Sequence, residues 1–192
     1  METLLKVEIN NEDIDLLKEK VSKIPDFPKK GILFYDIFSI FKNVELTQKL
    51  FNLAFNHIQN FLAETKQNIS AIVGLESRGF LLGLVLADKL KLPFVPVRKK
   101  NKLPGQVYKI EYITEYSRDE FELQTGALEQ NSNVLIVDDL LATGGTMKAA
   151  EQLITMSGST VAGFFVVFEI EGLNGKEKLG EFSKNLITMI KI

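Results

Sequence analysis

Asp138 and Asp139 stand side by side, and Ala142, Thr143, Gly144, Gly145 and Thr146 follow shortly after. Two adjacent carboxylates can accept hydrogen bonds from a vicinal diol, such as the 2′- and 3′-hydroxyls of a ribose. The glycines let backbone N–H groups close around an anion, and the threonine hydroxyls add donors. A helix opening near Thr146 would aim its positive end at the same spot. Taken as an ordinary strand-to-helix loop, these residues would need no ligand, but the order of the string favours a sugar-phosphate site. A Walker A loop is excluded because no GK[ST] occurs and Lys148 lies after the turn; GxGxxG is absent as well.

Two more stretches could meet anions. In Gly74 to Phe80, GLESRGF, a hydroxyl from Ser77 and a guanidinium from Arg78 lead into a helix start, which suits a second phosphate group. The plainer reading is a Glu76–Arg78 surface ion pair, with Gly79 permitting close helix packing. Arg98 to Gly105, RKKNKLPG, carries Arg98, Lys99, Lys100 and Lys102. Such a run is by itself a solvated face. Beside two anion cradles it can neutralise a pyrophosphate leaving group, and Pro104 with Gly105 begins a segment able to close over it.

These residues must be positioned by alternating elements. The spacing of Ile14, Leu17, Val21 and Ile24 predicts a helix over Asn11 to Ile24, and that of Leu50, Leu53, Phe55, Ile58 and Phe61 a second over Leu46 to Ala63. Strands are expected at Ile69 to Val73, Pro93 to Val97, Val134 to Val137 and, last in the chain, Val161 to Phe168. Helices are expected at Phe80 to Leu90 and Thr146 to Met156, the latter ended by Gly158. Strands separated by helices imply an α/β fold with a mostly parallel central sheet flanked by helices. Val134 to Val137 is apolar throughout, as in a strand covered on both faces, so the two acids sit at its carboxyl end, where open α/β sheets bind ligands. The long polar and aromatic stretch 98–123 breaks the alternation and is expected to be a lid loop.

Composition sets the class. The chain of 192 residues is 45% hydrophobic with a net charge of −2, enough for one sizeable core and one domain, 1–192, with no general attraction to nucleic acid or membrane. Without cysteine there is no disulfide framework, thiolate nucleophile or zinc site, and the N-terminus is too acidic for a signal peptide. A cytoplasmic location is expected by default, and because no apolar run approaches the roughly 18 to 20 residues of a membrane span, a soluble protein is expected. His57, the single histidine, has apolar neighbours and reads as structural.

The DDLLATGGT string resembles the phosphoribosyl pyrophosphate (PRPP) loop of type I phosphoribosyltransferases. Together with PDFPKKGILFYDI, GLESRGF, KLPG, EYSRDEFELQ and FEIEGLNGKEKL, it makes the chain similar to the adenine-specific branch of that family from about Ile24 to Leu179. The resemblance implies the type I fold, with a small N-terminal hood at about 24–40 and a flexible lid at about 98–123. It implies transfer of 5-phosphoribosyl from PRPP to N9 of adenine, giving AMP and pyrophosphate, with Mg2+ as cofactor and a homodimer as the assembly. Fourteen phenylalanines agree with an interface, although a large core could absorb them. Adenine would be held near Leu33, Phe34 and Tyr35; Tyr35 departs from the Arg or Lys that many relatives carry. PRPP or AMP would be held by Ser77, Arg78, Arg98, Lys99, Lys102, Asp138, Asp139, Ala142, Thr143, Gly144, Gly145 and Thr146. Arg78 and Lys102 would stabilise the leaving group, and magnesium would arrive with PRPP, Asp138 and Asp139 facing it through water. Glu115 matches the acid assigned to proton handling at the base, or is a structural lid residue, with Glu111 and Glu120 nearby. A related enzyme for xanthine, guanine or orotate is the rival reading. A PRPP-sensing regulator is a further one, disfavoured because such proteins add a DNA-binding helical segment and a basic face.

Overall fold

The computed structural model describes residues 6–113 and 118–192. The chain begins with α1 (Asn11–Lys20), β1 (Ser22–Pro25), β2 (Leu33–Asp36), α2 (Phe38–Phe41) and α3 (Val44–Thr65). It continues with β3 (Ala71–Leu75), α4 (Arg78–Leu90), β4 (Phe94–Lys99), β5 (Val107–Ile113) and β6 (Arg118–Gln124). The last elements are β7 (Asn133–Leu141), α5 (Gly145–Met156), β8 (Thr160–Glu169), a 3₁₀ region from Glu171 to Asn185 and β9 (Leu186–Lys191).

Seven strands form one sheet in the order β5-β6-β4-β3-β7-β8-β9. The pairs β4–β3, β3–β7, β7–β8 and β8–β9 are parallel, whereas β6 runs antiparallel to both β4 and β5. The apolar strands serve two cores, because successive side chains point to opposite faces. Leu135, Val137, Phe165 and Val167 pack on one side with Leu17, Ile58, Leu82 and Leu86 of α1, α3 and α4. Val134, Ile136, Phe164 and Val166 pack on the other with Ala150, Leu153 and Ile154 of α5. Each such side chain contributes about 1.5–3 kcal/mol of burial, so the central strands are a rigid platform for whatever their ends carry. Phe121, Phe164, Phe165 and Phe168 are fully buried, so the core takes up at least these four of the fourteen phenylalanines.

The structure corrects four expectations. The first helix stops at Lys20, and Ser22–Pro25 pairs with Leu33–Asp36 as a two-stranded hood ribbon; the helical spacing carries through to Ile24, but Val21 is already extended (φ −64, ψ 126) ahead of Pro25. The segment 98–123 is not a loop: β5 and β6 extend the sheet as an antiparallel hairpin, with its connection 114–117 outside the described residues. The last strand is β9 rather than β8, buried through Ile187, Met189 and Ile190. Finally, β7 does not end at Val137: it remains paired with β8 to Leu141, while its pairing with β3 stops at Val137 opposite Gly74. The acids therefore emerge where one flank of β7 loses its neighbour.

Candidate active site

A cleft of about 720 Å³ opens at that point. Its wall includes Leu33, Phe34 and Tyr35 of the hood, Arg78, Lys99, Asp138, Asp139, Ala142, Thr143, Gly144 and Thr146. Sequence reasoning missed Phe27, Tyr112, Asp119, Ile170 and Leu173, which share the wall. Ile170 and Leu173 lie in the FEIEGLNG stretch, and Asp119 in EYSRDEFELQ, both quoted only for resemblance. Ser77, Arg98, Lys102 and Gly145 are not part of the wall. Glu115 falls within 114–117, outside the described residues.

Two helices point their starts at the cleft, and neither is capped by a side chain. Ser77 at the start of α4 makes no capping bond, and α5 is preceded by Gly144 at φ +79, the left-handed region that favours glycine. By contrast, α1 and α3, away from the cleft, are closed by the side chains of Asn10 and Asn43. Open first turns leave backbone N–H groups and the positive helix end free for an anion. Gly144 also permits a close approach, since a Cβ there would lie 2.3 Å from the Gly175 carbonyl oxygen. Gly145, the first residue of α5, has no positive φ, so the conformational demand falls on Gly144.

Arg78 links the parts. Its Nε donates to Asp139 Oδ2 at 2.9 Å, and its guanidinium lies 5.1 Å from the centroid of the Phe34 ring. Phe34 in turn meets Phe27 edge-on at 5.0 Å. Gly79 lets α4 come close to the end of β7: a Cβ would stand 2.6 Å from the Val137 carbonyl oxygen. Close packing at Gly79 thus holds, but the Glu76–Arg78 pair of the plainer reading does not form: Arg78 pairs with Asp139, and Glu76 with Arg98 at 3.2 Å.

The acids are electrostatically loaded. Burial, then the neighbouring Asp139 charge, pushes the Asp138 carboxyl well above its usual value. Asp139 is 2% exposed; burial raises it too, against the pull of Arg78. Asp138 Oδ1 accepts the Asp139 N–H at 2.9 Å, which fixes its orientation. Two adjacent carboxylates that share the single guanidinium of Arg78 are poised to accept hydroxyl donors or to face a cation.

The basic turn after β4 is organised by carboxylates. Glu76 accepts the Lys99 N–H at 2.8 Å as well as Arg98 Nε; burial opposes its ionisation, but these donors hold its carboxyl below the usual range. Arg98 Nη1 also donates to the Lys102 carbonyl at 3.1 Å. Glu122, 1% exposed, is held low first by the Asn101 N–H, against burial, and then by Lys109 at 3.2 Å. The Lys102 side chain stands exposed on this turn. His57 lies on α3 with Nε2 buried and unpartnered, and burial lowers its pKa.

Among the described residues no helix is long and apolar enough to cross a membrane. The phosphoribosyl transferase domain family matches residues 39–191. Adenine phosphoribosyltransferase of Caenorhabditis elegans is 41% identical, with 91% of each chain covered. That of Eremothecium gossypii is 46% identical over 88% of this chain and 89% of its own. Among solved structures, the Saccharomyces cerevisiae enzyme, complexed with an imino-altritol bisphosphate and adenine, aligns at TM-score 0.85 and 40% identity, covering 94% of this chain and all of its own. The Trypanosoma brucei enzyme, in complex with AMP, pyrophosphate and ribose-5-phosphate, aligns at TM-score 0.82 and 28% identity over 93% of this chain and 79% of its own. With the Ala142–Thr146 turn, the paired acids and the β1–β2 ribbon gathered at one cleft, and with likeness of this extent, the chain belongs to the adenine phosphoribosyltransferase family.

Proposed function

We infer that the protein joins adenine to the phosphoribosyl group of PRPP, forming AMP and releasing pyrophosphate. The observation that carries this reading is the convergence of two uncapped helix starts, the Asp138–Asp139 pair and an aromatic hood on a single cleft. N9 of adenine forms a bond to C1 of the ribose as the bond from C1 to the pyrophosphate oxygen breaks; the N9 proton is lost. Negative charge grows on the departing oxygen and positive charge on the sugar, so catalysis asks for fixed donors on one side and a held sugar on the other.

The turn from Ala142 to Thr146 takes the 5-phosphate on the start of α5. Asp138 and Asp139 accept the ribose hydroxyls. Arg78 and Ser77 at the start of α4, with Arg98, Lys99 and Lys102 from the basic turn, receive the pyrophosphate. The half-buried Asp138 and the buried Asp139 offer hard oxygen donors without a full cage, which fits a magnesium ion that keeps water and substrate oxygens in its shell. When bound, magnesium supplies positive charge to the leaving group. Glu115 is the proposed acceptor of the base proton.

Base choice rests on the hood. β2 has one partner strand, and Pro25, opposite Leu33, has no N–H to give. A proline suits a position without ladder bonds, which turns the Leu33 and Tyr35 N–H and C=O groups to the open edge. Such groups match the N1 acceptor and exocyclic amine of adenine and oppose the pattern of hypoxanthine. A homodimer in the cytoplasm completes the proposal; Leu81 and Leu84, exposed on α4, offer an apolar face for it, and a monomer in light scattering at micromolar concentration would remove it. Product formation from PRPP, magnesium and each purine base tests the reading. Adenine should be preferred by roughly 10⁴-fold, and comparable kcat/KM for adenine and hypoxanthine would overturn it.

A further inference from the structure

We propose that Asp119 sets how tightly the cleft holds pyrophosphate, by competing with that anion for the ammonium of Lys99. The proposal rests on the cleft being a pyrophosphate site.

Each of the first three cations of the RKKNK run is held by a carboxylate. Arg98 sits on Glu76, Lys99 on Asp119 at 2.8 Å, and Lys100 on Glu120 at 3.2 Å. Their placement differs. Lys99 and Asp119 both line the cleft, whereas neither Lys100 nor Glu120 does, and of the Arg98–Glu76 pair only Glu76 does. The Lys99–Asp119 pair is therefore the one of the three that an incoming anion meets as a whole.

Asp119 is the fixed member. Its Oδ1 accepts the Glu120 N–H at 2.9 Å while Oδ2 faces Lys99, so the carboxylate is tied to β6 and the longer side chain comes to it. The Lys99 side chain is half exposed and Asp119 less so, which makes the pair weak enough to open. A polyanion can draw Lys99 across, but it then lies beside an acid that has lost its partner. Asp119 thereby taxes pyrophosphate twice, through the cation it withholds and the like charge it presents. A site that must release pyrophosphate after every turnover gains from such a tax, since anion affinity otherwise grows with each added cation.

Calorimetric titration of magnesium pyrophosphate into the wild type, Asp119→Asn, Lys99→Met and the double variant tests this. Asp119→Asn should bind about 2- to 5-fold tighter, the range that an exposed ion pair can contribute, with a steeper loss of affinity in salt. The gain should shrink in the Lys99→Met background. Asp119→Ser repeats the test without an amide, and circular dichroism melting confirms that each variant is folded. Binding by Asp119→Asn that equals or falls below wild type would overturn the proposal, as would a gain undiminished in Lys99→Met. Wild-type protein that binds no pyrophosphate would instead strike the reading of the cleft, and AMP formation by the wild type reports on that independently.

Discussion

Gly175 stands far from the phosphate turn in sequence, yet its replacement by alanine should disable that turn. A Cβ at Gly175 would lie 2.1 Å from the Ala142 carbonyl oxygen and 3.0 Å from both the Ala142 carbonyl carbon and the Gly144 nitrogen. All three atoms are backbone, so no side-chain rotation relieves the clash. The Ala142 carbonyl would have to retreat by about 1 Å, carrying Thr143 and Gly144 with it, and a misplacement of that size costs about 10²-fold in rate. Overpacking should also cost about 1–3 kcal/mol of stability. Gly172 provides the control from the same segment: a Cβ there meets nothing within 4 Å, and its φ is not positive, so Gly172→Ala should be neutral. Initial rates over a PRPP series, beside thermal melts of both variants, separate the effects. The loss should appear in kcat/KM for PRPP. Gly175→Ala that melts lower but keeps wild-type kcat/KM would refute the bracing of the turn, and loss of activity in Gly172→Ala would show that the segment acts in some other way.

Asp138→Asn should abolish most activity yet stabilise the ligand-free protein at pH 8. The raised carboxyl of Asp138 contributes stability below the ordinary carboxylate range, and that contribution is lost as pH rises through its folded-state value. The variant's gain, of which each kcal/mol is worth roughly 2–4 °C, should therefore fade towards pH 4, and a gain equal at both pH values would contradict the cause given. Lys102→Ala should lower kcat/KM by the equivalent of about 2–4 kcal/mol, through lost charge on pyrophosphate, and an unchanged value would remove Lys102 from the site. Tyr35→Lys should keep the preference for adenine, which is assigned to backbone groups. It should also melt lower, because the ring contact to Phe168 at 6.1 Å goes and a second ammonium arrives beside Lys23. A reversed base preference would sink the backbone account.

The sheet was legible wherever burial on both faces wrote an unbroken apolar run, as in Val134 to Val137 and Val161 to Phe168. It was illegible at the edges. β5 and β6 carry YKIEYI and RDEFELQ, in which Asp119, Glu120 and Glu122 pair with Lys99, Lys100 and Lys109, and a mixed charged and aromatic stretch reads as loop until its partners are known. β9 is short and follows irregular 3₁₀ turns, so its LITMIK pattern had no helix before it to suggest another parallel strand. β1 was hidden by a coincidence of spacing, since Val21 and Ile24 continue the helical stripe of Ile14 and Leu17.

The site divided along the same line. Contiguous residues that make one local shape, such as Thr143 to Thr146 or Ser77 to Gly79, announce themselves because turn, donors and helix start lie within a few positions. Residues that act by reaching a distant segment do not. Arg78 finds Asp139 rather than the adjacent Glu76, and Glu76 finds Arg98 and the Lys99 N–H across a strand boundary. Gly175 is a glycine because of Ala142 and Gly144, and Gly144 is a glycine partly because of Gly175. A reciprocal requirement of this kind has no local signature: either glycine alone looks like an ordinary turn. What the sequence writes openly is the chemistry offered to the substrate, and what it leaves to the fold is the set of close approaches that hold that chemistry still.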